Sequence, residues 1–518
     1  MRIPLLSRGF LPRELPPPFG SELLGSVYGH HPLPPAILAA KSEQSSPVTH
    51  NLPRGGLLRR PLSIPDPIRY MLLVDEIASG WASLLALMNR SALSLSRPRR
   101  DHTGHRAFVF RLGFSRQPVF RARVRSAARY IFSADINQFY PSLYTHALAW
   151  ACHGKPFAKA NRGPAHLGNR LDKCVRNGQD GQTMGIPIGP DTSFLLAEAL
   201  LGSFDADLVA QLRNRPGWRS MDEYEFSFST YSAAEEGIAI LQELLSEFEL
   251  SLNPRKTGIH ECPLPLNPEW VTKLQAVALP DARRAPRRII VTFIDRAFET
   301  AHRYPGEAVM NWTISRLMSL DFSFEQWQIV EPLVLQAAVS EPGALPRCLR
   351  LILIAQKNGL KIDTTRLREA LSVTLQKAVR RGHGSEASWA VWGHILFNLP
   401  LDAADVAALS GTQEDIVALV SLDARSRGLI PPATLFPNWQ NALTSGGLQD
   451  GHWLLAFEAI IKRWLVPSGA NPIATNPAYA HLAANNISFY SVGNPASQTL
   501  AHEHSAPIWL TPTQTYLL

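Results

Sequence analysis

The spacing of apolar positions changes several times along the chain, and each change predicts an element. Residues 1–65 are rich in Pro, Gly and Leu with weak periodicity, which predicts an arm packed on a body rather than a domain. From Asp66 to about Asn89, Ile68, Met71, Leu72, Ile77, Trp81, Leu84, Leu85 and Met88 fall at helical spacing. The run RYIFSAD (129–135) reads as a short buried strand that ends in an acid, and Tyr140 to Trp150 as a helix entered through Pro141. Residues 178–193 are a loop punctuated by Gly and Pro, followed by a buried helix over Phe194 to Leu201. In 218–229, Tyr224, Phe226 and Phe228 alternate with Glu225 and Ser227, which predicts a β-hairpin with Asp222 and Glu223 at its tip. A helix follows over Ser232 to Leu250. Ser232 and Glu235 form its expected capping box, and Ile238, Leu241, Leu244, Leu245 and Phe248 its apolar stripe.

Beyond about residue 285 the texture becomes uniformly helical. Amphipathic segments near 288–304, 306–319, 323–339, 343–358, 364–381 and 387–396 are joined by short Pro/Gly breaks, and shorter ones run to about 465. Stacked helix pairs of α-solenoid type are the expectation, although no strict period recurs. The tail, 466–518, has no readable period. The fold class expected is α+β followed by an all-α helical-repeat unit: an arm (1–65), a mixed unit (66–285, core about 128–262), a helical unit (286–465) and the tail.

Composition narrows the class. The chain has 518 residues, 45% hydrophobic and 18% charged, which is globular. No apolar run reaches membrane-spanning length, and Met1 to Phe19 lacks the apolar core of a signal peptide. Cys152, Cys174, Cys262 and Cys348 are scattered, which fits a reducing cytoplasm better than a zinc or disulfide framework. The net charge of +8 is concentrated: ten arginines lie between Arg97 and Arg129 against one acid, Asp101. Such a field suits phosphates, and equally a solvated surface.

Two acids occupy comparable settings, Asp135 at a strand end and Asp222 in a hairpin tip. Carboxylates brought together repel unless a cation lies between them. Paired divalent ions about 3.5–4 Å apart meet that need and serve in-line phosphoryl transfer. An oxygen-only site that shares ligands with substrate phosphates suits Mg²⁺, with Mn²⁺ as its substitute.

Four segments in order resemble those of reverse transcriptases. ADINQFYPSLYTHAL (134–148) is similar to the first palm motif, and GQTMGIPIGPDTS (181–193) to the Gly/Pro loop after it. SMDEYEFSF (220–228) stands where the family carries Tyr-x-Asp-Asp, and SLNPRKTGI (251–259) resembles the Asn-Pro-x-Lys-Thr segment. RRPLSIPDPIRYMLLVDEI (59–77) and RGFLPRELPPPF (8–19) are similar to the branch linked to phage defence and abortive infection. The resemblance covers about residues 8–275.

It implies a right-hand fingers and palm fold and an RNA-directed or template-independent DNA polymerase using dNTPs and two Mg²⁺ ions. Its implied partners are an RNA template or non-coding RNA and a DNA product; apart from the resemblance, the short apolar runs predict no membrane partner, and the helical half is the candidate surface for a homo-oligomer. Carried over, Asp135 and Asp222 hold the metals with the Ile136 carbonyl. Tyr140, beside Phe139, is the gate against a 2′-hydroxyl. Gly185, Pro187 and Gly189 bring backbone close to the nascent pair. Lys256 serves the departing pyrophosphate, with Glu223 as the second acid of the hairpin. Arg59, Arg60 and Arg106 are triphosphate candidates. Tyr479, Tyr490 and Tyr516 are candidate protein primers.

The chain departs from the family where Ser220 replaces the Tyr, Glu223 the second Asp, and Ile188 a frequent Gln. These changes bear on primer placement and fidelity more than on nucleotidyl transfer. The alternative expectation is a catalytically inactive nucleic-acid-binding or self-assembling defence protein.

Overall fold

The computed structural model describes residues 1–54, 58–113, 116–277, 279 and 286–502. The architecture is α+β, mostly helical, with small antiparallel sheets. The strands are β1 (Val48–Pro53), β2 (Arg59–Ile64), β3 (Pro98–Arg100), β4 (Phe108–Phe110), β5 (Tyr130–Asp135), β6 (Gly217–Ser220), β7 (Glu223–Phe228) and β8 (Gly258–Glu261). β1 pairs with β2 and β3 with β4; the remaining four form one sheet in the order β6-β7-β5-β8.

β5 is central in that sheet, with β7 on one side (Tyr130↔Phe228 through Asp135↔Glu223) and β8 on the other. Ile131 and Phe132 are therefore both fully buried, as expected for an apolar run covered on both faces. The helix Tyr231–Glu247 packs on the sheet, and Phe132 stacks on Phe228 at 5.6 Å.

Several expected elements are corrected. The helix over 66–89 is two helices, Pro67–Ser79 and Trp81–Arg90, bent by 71° at Gly80. Asp66 caps the first through the N–H groups of Ile68 and Arg69. The helix over 140–150 is likewise two, Phe139–Ser142 and Ala147–His153. The buried helix begins earlier and runs longer, Asp191–Gln211. The cap of Tyr231–Glu247 is Thr230, which accepts from Ala233, and not Ser232. In the hairpin, the turn is Met221–Asp222, and Glu223 is already the first residue of β7.

The arm contributes more than a strap. It forms the helices Arg2–Arg8, Glu22–Tyr28 and Pro35–Ala39 and the β1–β2 hairpin. Phe10 packs on Tyr70, Trp453 and Phe489, which joins the arm to the C-terminal half. The helical segments after 285 are Arg287–Arg303, Val309–Leu317, Phe324–Ser340, Leu345–Lys357, Thr364–Arg380 and Gly384–Leu396, with shorter ones beyond. The tail is ordered into the helices Pro472–Thr475, Pro477–Ala484 and Pro495–Ala501; residues 503–518, including Tyr516, lie outside the described residues. One buried apolar cluster runs from Leu5 to Tyr490. Among the described residues no single helix is long and apolar enough to cross a membrane.

Candidate active site

The hairpin turn brings Asp222 to the end of β5. The β5–β7 ladder ends at Asp135↔Glu223, and the next N–H, that of Ile136, donates to the Asp222 carbonyl at 3.0 Å. Segment 251–257 closes the other side. Asn253 donates from its backbone to the Asp135 carbonyl (2.7 Å) and from Nδ2 to Asp135 Oδ1 (3.2 Å). Its own Oδ1 accepts from the Arg255 N–H at 3.1 Å. That side-chain turn delivers Lys256, whose Nζ lies 2.8 Å from Asp135 Oδ2. Asn253 was not among the residues singled out from the sequence, although it lies within 251–259.

The acids are electrostatically crowded. Burial, then the Asp135 carboxylate, pushes Asp222 up to about 6, while Lys256 and Arg60 pull it down. Burial, then Asp222, pushes Glu223 up to about 7, with Lys256 and Arg121 opposing. Lys256, 2.8 Å from Asp135, is the cation in direct contact with this group, and Arg60 and Arg121 add weaker attraction. Among the described residues, no group of three or more His, Cys, Asp or Glu side chains is spaced to hold a metal ion; the oxygen donors at this point are the paired aspartates with Glu223 beside them.

Tyr140 belongs to the same neighbourhood. Burial and the charges of Asp222, Glu198 and Asp191 hold its hydroxyl well above the ordinary phenol range, and Arg60 opposes them. Its ring meets the buried Phe139 edge-on at 5.6 Å. The Gly/Pro loop is tied to it directly. Ile186 donates to the Tyr140 carbonyl and Gly185 to Leu143, each at 2.9 Å. Gly185 (φ 86°) and Gly189 (φ 132°) take backbone conformations that side chains disfavour, with buried Pro187 between them.

The three candidate arginines separate. Arg60 senses Asp222, Tyr140, Glu14 and Arg54, and burial lowers its pKa. Arg59, its neighbour on β2, turns the other way and pairs with Glu386 (2.5 and 2.6 Å) and Asn51. Arg106 holds the loop: it pairs with Asp191 and donates to the Leu11 and Gly189 carbonyls, each at 3.2 Å. Of the Arg97–Arg129 field, Arg121 and Arg125 are bound to Glu225 and Arg129 to Glu261. Arg99, Arg100, Arg111, Arg116 and Arg123 are exposed.

Behind the turn lies a buried charge cluster that sequence reasoning missed. Arg219, fully buried, pairs with Glu198 (2.8 Å) and Asp205 (2.9 Å) and donates to the Met221 carbonyl (3.0 Å). Ser94 and Ser96 donate to Glu198, and Ser96 accepts from the Met221 N–H at 2.7 Å. The non-glycine turn residue Met221, at φ 51°, is held on both of its backbone polar groups. Ser220, in place of the family's Tyr, is fully buried and accepts from Gln117 at 3.2 Å. The candidate primers Tyr479 and Tyr490 are also buried; their hydroxyls donate to Asp66 and to Asp423 respectively. Neither is accessible as a primer in this fold.

In comparisons with known proteins, no family model matches the chain, and neither does any curated protein.

Proposed function

We propose that this chain is a nucleotidyl-transferase of the reverse-transcriptase kind, in which the β6-β7-β5-β8 sheet serves as a palm. The observation that carries the reading is the pairing of Asp135 with the hairpin that bears Asp222. The donors fit hard divalent cations: they are oxygens only, and burial and then a neighbouring carboxylate hold two of them toward protonation, which a bound cation would oppose. Two Mg²⁺ ions, or Mn²⁺, would supply Lewis acidity toward a 3′-hydroxyl and neutralise charge at the reacting phosphate. Asp135, Asp222 and the Ile136 carbonyl would hold them.

The other residues take, in this reading, the roles that the resemblance implies. Arg60 meets the triphosphate of a dNTP. The Tyr140 ring, braced by Phe139, lies against the sugar and excludes a 2′-hydroxyl. Lys256 exchanges Asp135 for the leaving pyrophosphate, which needs either a proton or a counter-charge. The exposed arginines near β3 and β4 suit an RNA template and DNA product. Phage defence in the cytoplasm, with assembly through the helical half, is the setting this reading implies.

One observation favours the alternative of a catalytically inactive nucleic-acid-binding protein: Lys256 already neutralises Asp135. Incubation with labelled dNTPs and Mg²⁺, with and without RNA, separates the two. The wild type extends product, and Asp135→Ala and Asp222→Ala each lower the rate at least about a hundredfold, the scale expected for losing transition-state charge stabilisation. Equal incorporation by all three proteins overturns the reading.

A further inference from the structure

β2 carries two adjacent arginines, and successive strand residues point to opposite faces. Arg60 feels the charges of Arg54, Glu14, Asp222 and Tyr140, while Arg59 turns into the helical half. There its guanidinium makes a bidentate pair with Glu386 at 2.5 and 2.6 Å, on the helix Gly384–Leu396. Glu386 is almost fully buried, so the pair has little freedom to slide.

The hairpin is held at neighbouring points as well. Arg59 also grips Asn51 on β1, both at the side chain (2.6 Å) and at the carbonyl (2.9 Å). Asn51 in turn donates to the Gly382 carbonyl at 2.6 Å. His50, fully buried, meets Glu414 at 3.1 Å. On the opposite side, the Ser63 N–H donates to the Ile188 carbonyl at 2.9 Å, inside the Gly/Pro loop. The hairpin therefore bridges the helical half and the candidate active site.

We propose that the Arg59–Glu386 pair is a positioning device that fixes β2 so that Arg60 grips the triphosphate of an incoming nucleotide. The helical half thereby sets nucleotide affinity from outside the site. This rests on the nucleotidyl-transfer reading. Arg59 and Glu386 touch no substrate; they act through Arg60. A shift of the helix Gly384–Leu396 would draw β2, and Arg60 with it, away from Asp222.

Calorimetric titration of dTTP with Mg²⁺ into the full chain tests this, using wild type, Arg60→Ala, Glu386→Gln, Arg59→Lys and the double variant Arg60→Ala/Glu386→Gln. Denaturation midpoints are followed alongside. Arg60→Ala is expected to weaken binding about tenfold or more, as for loss of a charged hydrogen bond. Glu386→Gln and Arg59→Lys are each expected to weaken it about fivefold, the low end of measured site-to-site couplings. With Arg60 absent, Glu386→Gln should add nothing further. Arg59→Lys keeps the charge and loses only the bidentate geometry, so it reports even where Glu386→Gln folds poorly.

Wild-type affinity in both Glu386→Gln and Arg59→Lys, with lowered midpoints, would make the pair a folding anchor only. An equal effect of Glu386→Gln with and without Arg60 would also overturn the device. Either result leaves nucleotidyl transfer standing if Arg60→Ala still weakens binding. Absence of dTTP binding by the wild type would remove both.

Discussion

Burial and the neighbouring Asp135 carboxylate push Asp222 up to about 6 from an ordinary 3.8, and that shift has a signed consequence for stability. Well below pH 3.8 the group is protonated in the folded and unfolded chain alike and contributes nothing. As pH rises toward about 6 the unfolded chain releases a proton that the folded chain retains, so stability falls; above about 6 the loss is complete. Asp222→Asn is therefore expected to raise stability at pH 8 in EDTA by about 1–2 kcal/mol, after discounting for partial exposure. The gap should close near pH 4, and added Mg²⁺ should narrow it by stabilising the wild type alone. Denaturant midpoints at the two pH values check this; a variant less stable than wild type at pH 8 in EDTA would contradict it. At this scale the meeting of Asp135, Asp222 and Lys256 agrees with the expectation drawn from the order of their short segments. The separation of Arg59, Arg60 and Arg106 was not, since it depends on which face of β2 meets which neighbour.

The helix Asp191–Gln211 shows what an element can conceal. Three of its four acids, Asp191, Glu198 and Asp205, are seven residues apart and so share one face, and all three are buried. Asp191 takes Arg106; Glu198 and Asp205 take Arg219. Acids at that spacing in an otherwise apolar helix were the available signal for buried partners, yet the partners are set by the tertiary fold: Arg219 lies on the nearby strand β6, while Arg106, in the β3–β4 segment, is 85 residues from Asp191. Because Arg219 also holds the Met221 carbonyl, the cluster fixes the turn that presents Asp222. Arg219→Met leaves two acids buried without their cation and is expected to cost about 3–5 kcal/mol. Replacing all three by apolar residues (Arg219→Met, Glu198→Leu, Asp205→Leu) should recover most of that loss, read as the denaturation midpoint. A triple variant less stable than Arg219→Met would contradict the assignment. The hairpin and the helices after 285 were legible from period alone. The breaks at Gly80 and between Ser142 and Ala147 were not, because apolar spacing continues across both.

Across the whole molecule, the apolar core is continuous from the arm to the tail. Trp389 donates to the Glu14 carbonyl and Trp453 to the Ile64 carbonyl, each buried against the N-terminal segment. Tyr490 pairs with Phe19 edge-on at 5.0 Å. These contacts join residues more than 350 positions apart, which no local pattern reveals; the tail in particular gave no period to read. A chain ending at residue 286 would expose the surfaces of Phe10 and Ile64 that the C-terminal half covers. It is expected to aggregate or unfold at temperatures where the full chain is folded, as judged by sizing and hydrogen exchange. A stable, monodisperse fragment with native protection in β1 and β2 would contradict that continuity.

In the proposed reading, Asp135 and Asp222 form one divalent-ion site. Mn²⁺ titration followed by electron paramagnetic resonance tests it without relying on catalysis. The wild type should bind Mn²⁺ competitively with Mg²⁺, and Asp135→Ala and Asp222→Ala should each lose that binding while the fold persists. Unchanged Mn²⁺ affinity in either variant would contradict a site shared by the two aspartates.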